Sequence, residues 1–175
     1  GFVVQIARAL GAQVVACDVN DQRLAAIAEH GAHSVVNVRE RADRDVKKQL
    51  HSMAKEWGIE SLRFRIFECS GSTAGQSLAY ALLARAATLL FVGYTFDKVT
   101  VRLSNLMAFD ATAHGTWGCP PAVYPDVLKL IYDGSVRLEP FVQYAAMASL
   151  NDNLEAMAAH RLDKRVVLDP RMGMK

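Results

Sequence analysis

Gly1–Asp18 reads GFVVQIARALGAQVVACD, and this stretch decides the fold. Phe2, Val3, Ile6, Ala7 and Leu10 recur at helical spacing with Gln5 and Arg8 between them, and Gly11 stands where a helix takes a left-handed C-terminal residue. Val14–Cys17 is then a continuous apolar run ending at Asp18, the pattern of a strand covered on both faces. The chain opens inside a helix and passes directly into a strand that closes on a carboxylate.

Working outward, Asn20 or Asp21 caps a second helix that carries Leu24, Ile27 and Ala28 on one face and stops at Gly31, followed by a short strand, Ser34–Asn37. Val46, Leu50, Met53 and Trp57 mark a helix over Asp43–Trp57, and Arg63–Cys69 returns to strand. Gly71–Leu83 is helical, Thr88–Val92 is an apolar strand, and Lys98–Arg102 alternates with period two as a half-exposed strand does. The texture changes beyond Trp117: Pro120, Pro121 and Pro125 lead into a helix around Val127–Tyr132. A strand near Phe141, a helix near Asp152–His160 and a last strand, Arg165–Leu168, complete the pattern. Strands separated by single helices connect compactly only through right-handed crossovers, which predicts an α/β protein with a doubly wound parallel sheet, the Rossmann class. The first strand and the GxGxxG loop of that class are missing from the sequence, so the expectation is a fold truncated at its N-terminus.

The length bounds the chain to one domain, or one domain plus a remnant. Of 175 residues 51% are hydrophobic and 22% charged, enough to bury a sizeable core. The balance of 20 Lys and Arg against 18 Asp and Glu, net +2, lacks the electrostatic footprint of a nucleic-acid binder. Apolar runs are only a few residues long, as in TLLFV at 88–92, so no membrane-spanning helix is expected. Cys17, Cys69 and Cys119 lie 52 and 50 positions apart, which fits neither a zinc finger nor a disulfide framework, and a cytoplasmic location follows from that usage and from the lack of a signal peptide.

In a doubly wound sheet ligands sit at the carboxyl ends of the strands, which directs the chemical reading to Asp18, Cys69–Gly71 and Val92–Tyr94. A carboxylate at the place of Asp18 accepts ribose hydroxyls and repels an added phosphate, selecting NAD over NADP; the competing reading is that Asp18 merely opens the turn before Asn20. No metal site is expected, because the cysteines and the histidines at 30, 33, 51, 114 and 160, read as lying at helix ends and loops, lack ligand spacing. The eight basic and five acidic residues of Arg39–Arg65 read as a solvated helix face, not as a phosphate site for coenzyme A.

The segments GFVVQIARALGA (1–12), VVACD (14–18), FECSG (67–71), LFVG (90–93) and RVVL (165–168) together resemble the coenzyme-binding half and C-terminal tail of the medium-chain zinc-type alcohol dehydrogenases, over essentially the whole chain. The resemblance implies an NAD-binding domain over residues 1–116 and, over residues 117–175, a segment returning to the catalytic domain. It also implies roles in coenzyme binding. Asp18 and Arg23 would meet the adenosine ribose, Cys69 and Ser70 flank the adenine, and Val92, Gly93 and Tyr94 meet the nicotinamide amide. Gly115 and Trp117 would supply a second backbone contact to that amide, and Arg165 would reach the pyrophosphate. In that family catalytic zinc is held upstream of the glycine loop, so zinc is expected only in a full-length enzyme, no catalytic residue is assigned here, and the 175-residue chain alone is expected to be inactive.

IFECSG (66–71), AGQ (74–76), DKVTVRLSNLMAF (97–109) and GTWGCP (115–120) resemble more narrowly the 6-hydroxycyclohex-1-ene-1-carbonyl-CoA dehydrogenases of that family, which oxidise a ring hydroxyl of a CoA thioester in anaerobic benzoyl-CoA breakdown. Another secondary-alcohol or polyol dehydrogenase, or a non-catalytic nucleotide-binding module, are the alternatives. Val99 and Val101 on an edge strand suggest a homo-oligomer.

Overall fold

The computed structural model describes residues 1–59, 64–159 and 161–173; Arg63 and His160, which the sequence assigned to a strand and to a helix end, lie outside the described residues. The chain divides into two compact units, one formed by Gly1–Asn37 with Ala122–Lys175 and the other by Val38–Pro121.

In the first unit α1 (Phe2–Ala9) leads to β1 (Val15–Asp18), α2 (Asp21–Ala28) and β2 (Ser34–Asn37), and β1 pairs with β2 in parallel, Val15 opposite Ser34. Asn20 starts α2, its side chain accepting hydrogen bonds from the amides of Gln22 and Arg23 at 2.9 and 3.1 Å. Leu24, Ile27 and Val36 are buried in this unit. The later part of the same unit holds α6 (Tyr124–Tyr132), β6 (Val142–Ala146), α7 (Leu150–Ala158) and β7 (Arg165–Asp169), with β6 and β7 again parallel.

Two expectations are corrected here. Gln5, read as a polar spacer on α1, is the residue of that helix that is buried: its amide donates to the carbonyl of Arg137 at 3.1 Å and accepts from the amide of Arg137 at 2.8 Å. A primary amide presents a donor and an acceptor side by side, so it satisfies one residue's whole main chain and can be buried without loss. β1 is half-buried, not covered on both faces, with Cys17 exposed, since β2 is its one strand neighbour among the described residues.

The second unit holds α3 (Asp43–Glu56), β3 (Arg65–Glu68), α4 (Thr73–Ala81), β4 (Thr88–Phe91), α5 (Ser104–Ala108) and β5 (Thr112–Gly115), with a parallel sheet in the order β3-β4-β5. Asp43 and Asp45 in the first turn of α3 and Lys55 in its last turn complement the helix dipole. The core is built from Ala79, Tyr80, Leu83, Ala84, Ala87 and Leu89, with Phe64, Ile66, Phe91, Val101, Leu106 and Phe109 packed around them. Strand pairing among the described residues is parallel with a helix between partners, as the α/β reading requires.

Lys98–Arg102 is not a strand. Among the described residues β5 is one edge of this sheet, opposite β3, and its residues are all exposed; the alternation at 98–102 has another cause: Val101 packs on the core while the Tyr80 hydroxyl donates to the carbonyl of Arg102 at 3.1 Å. The charged face of α3 is also less solvated than its composition suggests. Lys47 turns inward, donating to the carbonyl of Ala81, the last residue of α4, at 3.1 Å and to that of Leu83 just beyond it at 2.5 Å, with its ammonium 4.9 Å from the centre of the Phe109 ring. His51 lies within α3 and His114 within β5, so neither is a loop residue.

Candidate coenzyme site

At the carboxyl end of β1, Asp18 is half-buried and its Oδ1 accepts the amide of Asn20 at 2.9 Å. The turn-forming role and the ligand role are therefore compatible, one oxygen serving the turn and the second remaining to receive hydroxyls. Arg23, exposed on the first turn of α2, donates to the carbonyl of Leu162 at 3.1 Å, which anchors it to the tail of its own unit. Arg165 opens β7 and is exposed.

The second unit joins two loops through one residue. Glu68 ends β3 and is buried, 4% exposed. Its Oε1 accepts the amide of Ser70 at 2.7 Å, the hydroxyl of Ser70 at 2.6 Å and the amide of Gly71 at 3.2 Å. Its main-chain carbonyl accepts the amides of Val92 and Gly93 at 2.8 and 2.9 Å. Cys69 and Ser70 on one side, and Val92, Gly93 and Tyr94 on the other, are thus brought together in this unit. The donors of Val92 and Gly93 are spent inside the protein, so what this pair can offer to a carboxamide is a carbonyl acceptor, that of Val92 or the second lone pair of Gly93, whose oxygen already accepts from Gln76 at 3.2 Å.

The two loops touch backbone to backbone. Gly71, at φ +64°, sits in the left-handed region, and a Cβ there would come within 2.5 Å of the carbonyl oxygen of Tyr94. A Cβ at Gly93 would overlap the amide nitrogen of Gly71 and lie 2.7 Å from Glu68 Oε2. This is the kind of close approach that places main-chain groups beside a ligand. Ser72 starts α4 by accepting the amide of Gly75 at 3.0 Å.

Gly115 ends β5 opposite Phe91, and the exposed ring of Trp117 meets that of Tyr94 edge-on at 6.0 Å. Phe96 adds a further edge contact to Tyr94 at 5.1 Å. Partial desolvation and the adjacent Glu68 carboxylate push the Cys69 thiol above its ordinary value, which keeps it protonated and a poor nucleophile. Among the described residues no group of three or more His, Cys, Asp or Glu side chains could hold a metal ion, so those residues do not fit the family's zinc. No helix among the described residues is long and apolar enough to cross a membrane. Sequence reasoning missed Glu68 and Gln76. Both lie inside the FECSG and AGQ segments that carry the resemblance, and a buried-strand position ending on Glu was the available signal.

Comparison with known proteins adds the lineage. The family described as zinc-binding dehydrogenase matches residues 1–133. A relative from Agrobacterium fabrum named "Putative D-xylulose reductase" is 29% identical over 145 residues, which cover 81% of this chain and 39% of the relative. Among solved structures, the alcohol dehydrogenase of the hyperthermophilic archaeon Aeropyrum pernix superposes with a TM-score of 0.81 at 24% identity, covering 97% of this chain and 46% of that one. Galactitol-1-phosphate dehydrogenase from Escherichia coli gives 0.77 at 24% identity, covering 95% and 49%. The chain therefore spans between 39% and 49% of the length of these relatives. The matches carry the family and the fold, and not the CoA-thioester subgroup.

Proposed function

Since this chain belongs to the zinc-binding dehydrogenase family, we propose that it supplies the coenzyme-binding part of an NAD-dependent dehydrogenase acting on a secondary alcohol. The observation that carries this reading is the pair of loops after β3 and β4, drawn so close through Gly71 and Gly93 that main-chain groups stand at the strand ends. Bound there, NAD would supply the hydride acceptor. The residues of this chain bind and orient it: Asp18 and Arg23 at the adenosine ribose, Cys69 and Ser70 beside the adenine, Val92, Gly93 and Tyr94 with Gly115 and Trp117 at the nicotinamide amide, and Arg165 at the pyrophosphate. Residues 1–116 form the coenzyme-binding domain in this reading and residues 117–175 belong with the catalytic domain.

No step is assigned to zinc, because the described residues do not fit it. The 175-residue chain on its own is expected to show no dehydrogenase activity and no stoichiometric zinc, which elemental analysis checks. The protein is proposed to act in the cytoplasm as at least a dimer, with the exposed edge of β5 in place of the 98–102 segment as the surface that meets a second copy.

For the substrate there are two readings. The likeness of DKVTVRLSNLMAF (97–109) and GTWGCP (115–120) supports 6-hydroxycyclohex-1-ene-1-carbonyl-CoA, oxidised to its 6-oxo product with the ring against a nicotinamide held by Val92, Gly93 and Trp117. The names of the relatives support a polyol or simple secondary alcohol. NADH formation by the protein that carries this chain, compared on this thioester, cyclohexanol and a polyol, separates them. A specificity constant higher for the thioester supports the first, one higher for the polyol supports the second, and nucleotide binding without turnover of any of the three would point to a non-catalytic module.

A further inference from the structure

Glu68 holds both coenzyme-proximal loops of the second unit, and its carboxylate is used unevenly. Oε1 receives three donors, while Oε2 is buried with no hydrogen-bond partner among the described residues. A buried carboxylate oxygen left without a donor is costly, so the position must return something for it. The neighbours of Oε2 indicate what. It lies 2.7 Å from where a Cβ of residue 93 would stand, so it closes the floor beneath Gly93 while Oε1 draws Ser70 and Gly71 down onto β3. The carbonyl of the same residue draws down Val92 and Gly93.

We propose that Glu68 is a positioning residue for the dinucleotide: its reach, and not its charge, sets the 69–71 and 92–94 loops at the spacing the coenzyme needs. This inference rests on the coenzyme reading above. A glutamate is long enough to return from the strand end and collect the amides two and three residues ahead, and the geometry of those bonds specifies chain length more than ionisation, since an amide oxygen at the same place accepts the same three donors.

Two variants of the protein that carries this chain separate reach from charge. Glu68→Gln keeps the reach and removes the charge; Glu68→Asp keeps the charge and withdraws the oxygen by one methylene. Titration of NAD against the fluorescence of the protein, and steady-state kinetics, are expected to give Gln a dissociation constant within about threefold of the native value and Asp one raised about tenfold or more. For Asp, KM for the coenzyme should rise while kcat at saturating coenzyme stays within about threefold, since the reacting groups are untouched. Amide hydrogen exchange in the coenzyme-free protein should quicken at Ser70 and Gly71 in Asp and not in Gln. A merely structural role would lower the folded fraction, and with it apparent kcat, without moving the dissociation constant of the folded protein, and would overturn the proposal. So would the reverse order, Asp near native and Gln impaired, which would assign the role to charge. If the native protein binds neither NAD nor NADP, the coenzyme reading fails and the positioning role falls with it, even where exchange still shows Glu68 ordering the loop.

Discussion

Asp18 and Glu68 occupy equivalent places, each the last residue of a parallel strand at the end where such sheets bind ligands, and the structure treats them in opposite ways. Asp18 is half-buried, gives one oxygen to the amide of Asn20 and keeps the other available. Glu68 is buried, and the bonds its carboxylate makes are all to its own loop. The extra methylene accounts for part of the difference, because the longer side chain folds back to collect two amides and a hydroxyl where the shorter one meets a single amide. Burial accounts for the rest: Gly93 lies over Glu68 with no Cβ to hold it off. On the proposed coenzyme reading, the acidic strand end followed by an open loop is left to meet a ligand, while the one over which a second loop closes holds the scaffold.

The largest expected effect breaks the scaffold side of the comparison. Glu68→Ala leaves the amides of Ser70 and Gly71 without their acceptor and should lower stability by about 2–3 kcal/mol in urea melts, against less than about 1 kcal/mol for Asp18→Ala. Equal losses would erase the distinction. On the ligand side, Asp18→Ala should narrow the preference for NAD over NADP about tenfold in specificity constants, because the ribose loses a charge-assisted acceptor while repulsion of the added phosphate is relieved. Native specificity favouring NADP would remove the ligand role from Asp18.

Lys47 is a half-buried charged group on an otherwise polar helix, its ammonium held by main-chain carbonyls. Lys47→Met retains the stem over Phe109 but leaves the carbonyls of Ala81 and Leu83 without that donor, with an expected loss of about 1–2 kcal/mol. Lys48→Met tests the exposed alternative, with a change below about 0.5 kcal/mol.

The smallest effect is in pH. Burial, and then the charge of Lys47, hold the His51 ring below its ordinary value, and Nε2 of that ring is buried without a partner among the described residues. The folded pKa is the lower one, so the unfolded chain takes up the proton first. The stabilisation is complete above the unfolded value, about 6.5, and is lost as pH falls from there through the folded value. Urea midpoints should fall between pH 7.5 and 5.5, and His51→Phe should flatten the slope. His33, lowered by burial and by Arg8, adds to it in the same direction.

Most of the order of elements is legible in the amino-acid sequence. The helix cap at Asn20, the apolar runs at 14–17 and 88–92, and the alternation of strand with helix through the tail all correspond to observed elements, because backbone propensity and periodic burial are local properties. The candidate site is legible as a set of strand ends for the same reason. Pattern without partners misleads. The period of two at 98–102 reflects packing of Val101 on the core, and the strand that forms is Thr112–Gly115, which has no apolar run to mark it.

Sequence alone determined the α/β class, the zinc-binding dehydrogenase lineage and the acidic end of β1, since these depend on spacing and on residue identities that a chain carries with it. Tertiary structure alone decided that Gln5 would be buried against the main chain of Arg137, that Lys47 would leave the solvated face, and that Glu68 would lock two loops together. Each of those three is a polar side chain turned wholly or partly away from solvent. Its cost or gain depends on whether main-chain donors and acceptors stand within hydrogen-bonding reach once the chain has folded, and that is a property of the folded arrangement and not of any periodic run of sequence.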